Sequence, residues 1–527
     1  MRYKTIIFRY LPIILFALVL AAPFALRSAV IRRETTRVDA KAERLVIVTP
    51  HPDDIRREFA RAFDRWHREK FGVGVSIDYR VPGGSTDVRR LLEAVYQPFR
   101  DKTTGKLAPD AQVGIDVVFG GGDFFFDSEL KPLGVLQPMH LPPQLLADAF
   151  PQPALAGVKL LDLSKAADGS PAPMWVGSCL SSFGILYNPD VYHAMGLPEP
   201  SEDHGWQDLT DPRLAGMLAL ADPSHSGSAA VAYQMVIQRA MADAEAEILA
   251  RDPAIRALPK TELPKNAAYQ AAIAAGWKHG MGQLLKIAAN ARYFTDSSPI
   301  VPLDVSRGDS AAGIGIDYYA RVTAEMIGAS RVRFIAPIGA TAITPDPVAI
   351  LHGVSGRRLE IATHFIEFVL SPEGQRLWIL KPGTPGGPEQ HGLRRPPVRA
   401  DLYRDQTNWT DDVNPFKTAA GFNQRGDWMV LFTDTRPIWV AAWIDGRDAL
   451  VDAYGRIRRV PDPMKRQQLI DELADLPIDM NDVANIRAQR LDIQRQNGDL
   501  DEWRARQQIE WAARFREHYA RVAQKAG

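Results

Sequence analysis

The feature that most limits the fold of this chain is a repeated alternation of short apolar runs with helical stretches. Residues 44–49, 73–79 and 115–119 are β-branched runs that read as buried strands. Between them, large apolar residues recur at helical spacing in 53–66 and 87–96. This alternation predicts an α/β fold, with a parallel sheet and helices on both faces. In such sheets ligands bind at the carboxyl ends of the strands, so the loops after the three strands are expected to meet there.

The alternation continues along the middle of the chain. Further strands are predicted at 174–188, 311–316 and 334–338, the last as a return strand, and an amphipathic helix at 359–370. A Pro/Gly-rich stretch marks a boundary at about residue 399. Beyond it, residues 400–527 are predicted to be a largely helical extension, and its Trp428, Trp439 and Trp443 are expected to pack onto the preceding part.

The N-terminal residues predict a targeting signal. Arg2, Lys4 and Arg9 precede an apolar run at 11–26, the pattern of a secretory signal peptide. No clean cleavage site follows it, so residues 1–30 are predicted to be either a signal peptide or an uncleaved signal anchor. Residues 31–43 would be a polar tether. The remainder is therefore expected to be periplasmic or extracytoplasmic, anchored in the inner membrane if the signal is retained.

Composition excludes several classes of protein. The 527 residues include 63 Lys and Arg against 63 Asp and Glu, so there is no global basic field and no nucleic-acid partner is predicted. The single cysteine, Cys179, excludes an internal disulfide and Cys-based metal sites, and is expected to be a buried core residue. Walker, HExxH, GxSxG and CxxC motifs are absent from the sequence. We therefore expect neither an enzyme nor a resident cofactor.

The loop at residues 224–228 is the strongest candidate for ligand contact. Ser226, Gly227 and Ser228 directly precede a predicted helix at 229–250. Backbone amides at a helix start, together with hydroxyl groups, bind anions. The same residues also favour a simple N-cap turn. From these residues alone, the loop could be interpreted as an anion-binding site or as a simple helix cap.

A second candidate is the tyrosine pair. Asp317, Tyr318 and Tyr319 end a glycine-spaced strand. Phenolate is a hard oxygen donor suited to a highly charged cation, although the free phenol has a pKa of ~10. Two tyrosines that pack by their rings would give the same pattern.

Two more loops lie at the edge of the sheet where a ligand is predicted to bind. His51 follows the first strand and is able to bind a metal or an anion. Gly121, Gly122 and Asp123 follow the third strand, where glycine allows a ligand to approach the backbone closely. The spacing is not that of a dinucleotide-binding fingerprint. A surface-loop histidine is an equally good interpretation of His51 by itself.

Together these motifs resemble the type II periplasmic solute-binding proteins of ABC importers, in the branch that includes the ferric-ion-binding proteins. The resemblance covers roughly residues 44–399. It is carried by short motifs in the family's order: LVIVTPH, IDVVFGGG, GILYNPDVY, GDSAAGIGIDYYA and HFIEFVLSPEGQRLW.

The resemblance implies a two-lobed fold of the Venus-flytrap type. Lobe 1 would contain residues 44–175 plus 335–399, and lobe 2 residues 176–334. The extension at 400–527 has no counterpart in the family. A ligand would be held in the cleft between the lobes, and the loaded protein would be presented to an ABC permease and its ATPase.

The ligand implied by the resemblance is ferric ion or a small anionic, phosphorylated solute. In the ferric branch a tyrosine pair binds the iron and a Ser-Gly loop holds a companion phosphate, which match Tyr318, Tyr319 and the 226–228 loop. His51 lies near the family's ligand histidine and would be the third metal ligand. Where that branch has a ligand glutamate, this chain has two glycines before Asp123, which favours an organic anion.

Two other functions stay open. A membrane-tethered sensor or scaffold would reuse the two-lobe fold, as the retained anchor and the long extension suggest. A hydrolase or transferase on a similar frame is the third alternative, because fold alone does not fix function.

Overall fold

Strands account for the framework of the molecule. The computed structural model describes residues 42–527 apart from 156, 329, 419–424, 426–427, 429–430 and 497. Its strands are β1 (Glu43–Val48), β2 (Val75–Arg80), β3 (Val117–Phe119), β4 (Ala154–Leu155), β5 (Val158–Lys159), β6 (Val176–Tyr187), β7 (Leu218–Ala221), β8 (Ala291–Thr295), β9 (Ala312–Ile316), β10 (Arg333–Ile335) and β11 (Ile343–Ile350).

Helices connect these strands and form the C-terminal region. They are α1 (Asp53–Phe71), α2 (Ser85–Tyr96), α3 (Pro143–Ala149), α4 (Pro189–Ala194), α5 (Gly227–Arg251), α6 (Pro253–Arg256), α7 (Ala267–Ala289), α8 (Ile300–Arg307), α9 (Asp317–Ile327), α10 (Gly356–Leu370), α11 (Pro372–Leu377), α12 (Pro415–Thr418), α13 (Phe432–Trp439), α14 (Arg447–Arg458), α15 (Pro463–Ala474), α16 (Met480–Arg495) and α17 (Leu500–Ala526). Two π-helical segments, Phe125–Leu130 and Val440–Ile444, interrupt this pattern.

The main sheet has the strand order β2-β1-β3-β11-β6-β9-β7-β8, with β10 also paired to β6. We call β1, β2, β3 and the elements around them the first half, and β7 to β10 with theirs the second half. Strands pair in parallel around β1 in the first half and around β7 in the second. The parallel pairing predicted for the first three strands is confirmed, whereas β6 and β11 run antiparallel to their neighbours.

Strand β6 belongs to both halves. Its N-terminal part pairs with β11, with Val176 opposite Val348 and Ser182 opposite Ile343. Its C-terminal part pairs with β9 and β10 of the second half. A strand of 12 residues, β6 is long enough to connect two groups of parallel strands. Strands β6 and β11 are therefore the connection between the halves at the centre of the sheet.

The predicted return strand at 334–338 is wrong in position. Strand β10 there is only three residues long and pairs with β6 in the second half. The chain returns to the first half in β11, which also pairs with β3. Prolines at positions 345 and 347 obscured β11 in the sequence, since proline donates no hydrogen bond to a sheet and is rare inside it. The register shifts between Asp346 and Pro347, and this irregularity accommodates the prolines.

The first half has an aromatic core under the sheet. The ring of Phe59 on α1 lies 5.4 Å from that of Phe119 and 4.5 Å from that of Trp378, centroid to centroid. All three side chains are fully buried. Cys179 on β6 is also fully buried, and burial raises the pKa of its thiol. The prediction that Cys179 is a core residue is confirmed.

The predicted helical extension is confirmed in α13 to α17. Trp428, Trp439 and Trp443 are all buried, as expected for an extension that packs onto the rest of the chain. The indole Nε1 of Trp439 donates to Met281 Sδ on α7 at 3.3 Å. The extension is thus an integral part of the folded molecule.

Among the described residues, we find no helix with both the length and the apolar character needed to cross a bilayer. The predicted signal peptide or anchor at 1–30 and the tether at 31–43 lie outside the described residues, apart from the last two tether positions.

Candidate functional site

A cavity of about 170 Å³ lies between the two halves of the sheet. Its walls come from the loops after β1, β2 and β3 on one side, and on the other from the loops after β7 and β8 and the junction of β9 with α9. Strands β6 and β11 form its floor through Ser181, Phe183 and residues 344–346. Ligands of α/β proteins bind at the carboxyl ends of strands, and this cavity occupies that position in both halves at once.

Five helices begin at the edge of this cavity. These are α1, α2, α5 and α8, which follow loops that line it, and α9, which follows β9 directly. A helix carries partial positive charge at its N-terminus, where its first amides lack partners within the helix. Five such ends around one space give it a positive potential from backbone groups alone, which favours an anion.

Three serine hydroxyls cluster at the start of α5. Ser226 is the N-cap of that helix, and its Oγ accepts a hydrogen bond from the amide of Ala229 at 3.2 Å. Ser228 Oγ lies 3.2 Å from Ser226 Oγ and 3.1 Å from Ser298 Oγ. Ser226 also hydrogen-bonds Ser298 directly. Each hydroxyl offers a donor that is free to rotate toward an oxyanion.

The two halves touch across the cavity at two glycines. A Cβ placed on Gly227 would lie 2.4 Å from Ser85 Oγ, and one on Gly84 would lie 2.8 Å from the carbonyl oxygen of His225. The start of α2 in the first half therefore meets the start of α5 in the second half. At Gly84 the facing atom belongs to the backbone, so only glycine permits so close an approach there.

An ion pair lies buried at the floor of the cavity. Arg395 Nη1 donates to Asp346 Oδ2 at 2.5 Å, and Arg395 Nη2 donates to Ser181 Oγ at 2.7 Å. The guanidinium stacks over the ring of Tyr318, with its Cζ 4.6 Å from the ring centroid. Arg395 is 2% exposed, and its buried positive charge is balanced by the carboxylate of Asp346.

His51 completes this cluster. Its Nε2 lies 2.9 Å from Asp346 Oδ2. Burial lowers the pKa of His51, although Asp346 acts in the opposite direction. The ring is therefore neutral near pH 7. With its proton on Nε2, His51 donates to Asp346 and leaves Nδ1 as a buried acceptor that has no protein partner in the described chain.

Asp346 also fixes the glycine loop after β3. Its Oδ1 accepts from the amides of Gly121 and Gly122, at 2.6 and 3.2 Å. Gly121 has φ of 123°, a conformation that favours glycine. Burial alone would raise the pKa of Asp346, but Arg395 and His51 outweigh it and hold that pKa well below its usual range. The carboxylate is thus permanently charged and already saturated by protein donors.

The tyrosine pair lies against Arg395. The ring centroids of Tyr318 and Tyr319 are 4.2 Å apart, so the alternative of ring packing also applies. Burial raises the pKa of both phenols, of Tyr318 well above the ordinary value. Both residues line the cavity as neutral hydroxyl groups.

Asp123 contributes a carboxyl group to the wall of the cavity formed by the first half. Burial raises its pKa to about 7, and Asp127 adds to the rise, while backbone amides and Lys159 act against it. A carboxyl with that pKa is partly protonated at neutral pH and is able to donate or accept a hydrogen bond. Asp296, on the opposite side, lies exposed at the rim.

The structure brings eight of the nine predicted site residues together around the cavity: His51, Gly121, Asp123, Ser226, Gly227, Ser228, Tyr318 and Tyr319. Asp317 does not line it. Its carboxylate points into a separate space behind β6, where it pairs with Arg321 at 3.3 Å and accepts from Ser182 at 3.2 Å. The role of all nine in binding stays a prediction.

Asp346, Arg395 and Ser298 also line the cavity, although they are not among the site residues predicted from the sequence. Asp346 stands between two prolines that disguised its strand, and Arg395 lies in a Pro/Gly-rich stretch that was interpreted as a boundary. The Ser-Ser-Pro sequence at 297–299 precedes a short helix and carries the same cap signal as the 226–228 loop. Of these three residues, only Ser298 has a local sequence pattern that indicates a site.

Residues 177–380 match the family model described as bacterial extracellular solute-binding protein. The resemblance predicted from the sequence is confirmed. The matched segment contains the serine loop, the tyrosine pair and Asp346. The matched family consists of binding proteins rather than enzymes, in agreement with the sequence-based expectation.

A phosphoglycerate transport regulatory protein of Salmonella typhimurium is 26% identical over 223 residues, which cover 41% of this chain and 45% of that protein. The chain thus spans about half the length of this curated relative. Among solved structures, a periplasmic binding protein of Actinobacillus pleuropneumoniae with fructose-6-phosphate bound has a TM-score of 0.49 at 19% identity, covering 76% of this chain and 99% of the other. Iron-bound HitA of Pseudomonas aeruginosa has a TM-score of 0.44 at 16% identity, covering 74% and 99%.

Proposed function

We propose that this protein is the extracytoplasmic solute-binding component of an ABC importer and that it captures a small phosphorylated organic solute in the cavity between its halves. The two halves would be the lobes, with the boundaries expected from the sequence: 44–175 plus 335–399, and 176–334. The observation that carries the proposal is the convergence of five helix starts and three serine hydroxyls on one cavity.

The serine cluster would bind the phosphate group. Its hydroxyls and the first amides of α5 are hydrogen-bond donors, and helix dipoles favour the negative charge. Arg395 at the floor is charge-balanced by Asp346, so the attraction for an anion comes from the helix starts and the serine hydroxyls. The cavity volume of about 170 Å³ is several times the ~30 Å³ that one water molecule occupies in the liquid. This size suits a small molecule.

The opposite wall would bind hydroxyl groups of the solute. His51 Nδ1 is a buried acceptor, Asp123 is able to donate or accept, and the two phenols offer both functions. A bare phosphate would leave these groups without partners, and buried polar groups without partners are costly. A phosphorylated polyol or hydroxy acid would satisfy both ends of the cavity.

Ferric ion fits the cavity less well. A hard cation needs several anionic oxygen ligands. Asp346 is saturated by its own donors, and burial raises the pKa of both tyrosines. No group of three or more His, Cys, Asp or Glu suited to a metal occurs among the described residues. We therefore place ferric ion second to an organic phosphate.

Capture would work by closure of the two halves. The connection through β6 and β11 is the expected hinge, and a solute favours the closed form only through contacts that both halves make with it. The serine cluster belongs to the second half, whereas His51 and Asp123 belong to the first. A permease and its ATPase would then receive the solute from the closed form.

The Salmonella relative adds support on two points. Its name includes phosphoglycerate, a phosphorylated hydroxy acid, which has both of the chemical groups that the cavity fits. It is also named a regulatory protein, and this favours the second candidate function: a membrane-tethered sensor that reports solute through the extension. In that case the bound form would be recognised by a signalling partner instead of a permease.

Thermal unfolding of the full chain, scanned against candidate solutes, tests the proposal. A ligand at about 100 times its Kd adds ~2.7 kcal/mol of stability. We expect phosphoglycerates or sugar phosphates to raise the Tm and their dephosphorylated forms to have no effect. A shift with ferric ion alone, together with a tyrosinate-to-iron absorption band, would instead establish a metal site. No shift with either class would exclude the proposal.

Uptake of the labelled solute separates the two candidate functions. Loss of uptake when the gene is deleted supports the importer component. Unchanged uptake, together with loss of a solute-dependent transcriptional response, supports the sensor.

A further inference from the structure

The C-terminal extension contacts both halves of the molecule. Its first part packs on the end of the first half, where Trp409 is buried with Ile379 and Leu380. The amide of Thr410 donates to the carbonyl of Ile379 at 2.8 Å, and Arg394 Nη1 donates to Asp411 Oδ1 at 2.9 Å. The extension therefore begins as part of the first half.

The later part of the extension is seated on the second half. The ring of Trp439 lies 5.9 Å from that of Tyr233 on α5, and Trp443 is buried beside it. Ion pairs join α15 to α7: Asp471 with Lys286 at 2.8 Å and Asp475 with Lys278 at 2.7 Å. Buried tryptophans and several ion pairs make this part move with the second half.

One residue of this later part reaches back to the first half. Arg436 on α13 lies 3.4 Å from Glu129, Nη1 to Oε1, and its guanidinium Cζ is 5.7 Å from the ring centroid of Phe124. The side chains of Arg436 and Glu129 are 20% and 18% exposed. Arg89 on α2 lies 3.9 Å from the other oxygen of Glu129. The pair is therefore largely shielded from water.

The partner of Arg436 belongs to a wall of the cavity. Glu129 lies in the segment Phe125–Leu130, which begins two residues after Asp123. Gly121, Gly122 and Asp123 themselves line the cavity. The ion pair thus connects the element that follows this wall to a helix seated on the opposite half.

We propose that Arg436 and Glu129 form a latch across the cleft, a positioning pair through which the extension holds the two halves together. The latch rests on the proposed capture mechanism, because it acts on the opening and closing of that cleft. Separation of the halves carries Arg436 away with the second half and leaves Glu129 with the first. The pair accordingly stabilises the closed form and slows release of the solute.

Reversal of the charge at position 436 tests whether the ion pair of Arg436 and Glu129 holds the halves together. Arg436→Glu places a carboxylate next to Glu129, so we expect the halves to separate more and the solute to dissociate about fivefold faster, the scale of one ion pair. Glu129→Arg combined with Arg436→Glu restores the opposite charges and should return both quantities toward those of the wild type. Arg456→Glu is the matched control, since Arg456 pairs with Asp452 on the exposed face of α14.

The distance between the halves is measured on the ligand-free full chain by pulsed electron spin resonance. Spin labels on Glu69→Cys in α1 and Ala271→Cys in α7 report it, because both positions are exposed on long helices and Cys179 is buried. We expect longer distances in Arg436→Glu and the wild-type distribution in the control and the double variant. Arg436→Gln serves where Arg436→Glu fails to fold, with a smaller shift in the same direction.

An unchanged distance distribution in Arg436→Glu would overturn the latch. So would a double variant that stays as open as the single one when Arg89→Gln removes the positive charge next to position 129 from both. The distance needs no solute. A solute screen that fails would therefore reject the proposed function and leave the result for the latch intact.

Discussion

Arg395 and Asp346 form an ion pair inside the molecule, 2.5 Å from Nη1 to Oδ2, although 49 residues separate them in the chain. Asp346 lies on β11, one of the two strands that join the halves, and Arg395 lies on the segment that precedes the extension. Because Asp346 also holds His51 and the amides after β3, this one carboxylate fixes the floor and one wall of the cavity. Its removal should disturb stability and binding together.

Asp346→Asn is expected to destabilise the protein by about 3–5 kcal/mol, because it leaves the buried guanidinium of Arg395 without a charged partner. Urea denaturation followed by circular dichroism measures the loss. Asp452→Asn is the control: its pair with Arg456 is about half exposed, and breaking such a pair costs about 1 kcal/mol or less. Similar losses in the two variants would contradict the assignment of a buried, structural pair.

The same pair predicts an acid dependence. The pKa of Asp346 is depressed in the folded state, so its stabilising effect is present above the ordinary aspartate pKa of ~3.9 and is lost as the pH falls through the lower folded value. Wild-type stability should therefore drop below about pH 4 by an amount that Asp346→Asn lacks. If the free energy of unfolding, measured with urea, falls equally in the two proteins between pH 5 and pH 3, this prediction is wrong.

Ser226→Ala is expected to weaken solute binding beyond its effect on stability. The substitution removes an N-cap, which costs about 1 kcal/mol, and also removes a hydroxyl from the proposed phosphate site. Ser371→Ala is a matched control, because Ser371 caps α11 in the same manner and accepts from the amide of Gly374 at 3.1 Å, away from the cavity.

Isothermal titration with the solute that raises the Tm measures the effect of these two serines. We expect a loss of affinity of about tenfold in Ser226→Ala, on the scale of a hydrogen bond to a charged group, and an unchanged Kd in Ser371→Ala. Equal affinities in both variants would remove the serine cluster from the binding site.

Most of the framework was predictable because local patterns agree with the fold. The β-branched run that forms β1 and the apolar spacing along α1 both specify their elements without help from distant residues. The loops after β1 and β3 carry His51 and Asp123 to the cavity, and Tyr318 reaches it from the first turn of α9. Within each half, parallel strands end at the cavity. Residues that are far apart in the sequence therefore lie close together in the site.

What was not predictable depends on long-range contacts. Strand β11 forms despite two prolines, because β3 and β6 supply partners on both sides and a register shift absorbs the missing donors. Arg395 enters the cavity from a stretch whose composition indicates a turn. Neither residue type nor spacing shows that a charge in such a stretch will be buried, because its counter-charge lies on a distant strand.

Gly227→Ala is expected to keep the cleft open. An alanine Cβ there would lie 2.4 Å from Ser85 Oγ on the opposite half, so either the Ser85 hydroxyl rotates away from this contact or the halves stay slightly apart. The backbone of α5 tolerates alanine, which has a higher helix propensity than glycine. We therefore expect unchanged or higher stability and at least tenfold weaker solute binding. Gly455→Ala in α14, where no atom lies within 4 Å of the added Cβ, is the control and should bind as the wild type does.

Small-angle scattering in saturating solute checks the cause of that change. The wild type should contract when solute is added, and Gly227→Ala should not. Full contraction of the variant would mean that the halves do not close at this contact.

Asp123 predicts a pH dependence of the opposite sign to that of Asp346. Burial raises its folded-state pKa to about 7, whereas an unfolded aspartate has a pKa of ~3.9. The unfolded chain therefore releases this proton first, and stability falls as the pH rises from about 4 to about 7. Asp123→Asn keeps the neutral shape at every pH, so it should match the wild type at pH 4 and be more stable at pH 8. Urea midpoints of both proteins at pH 4, 6 and 8 measure the difference, and a gap that is constant across the three values would show that Asp123 does not titrate as a buried acid.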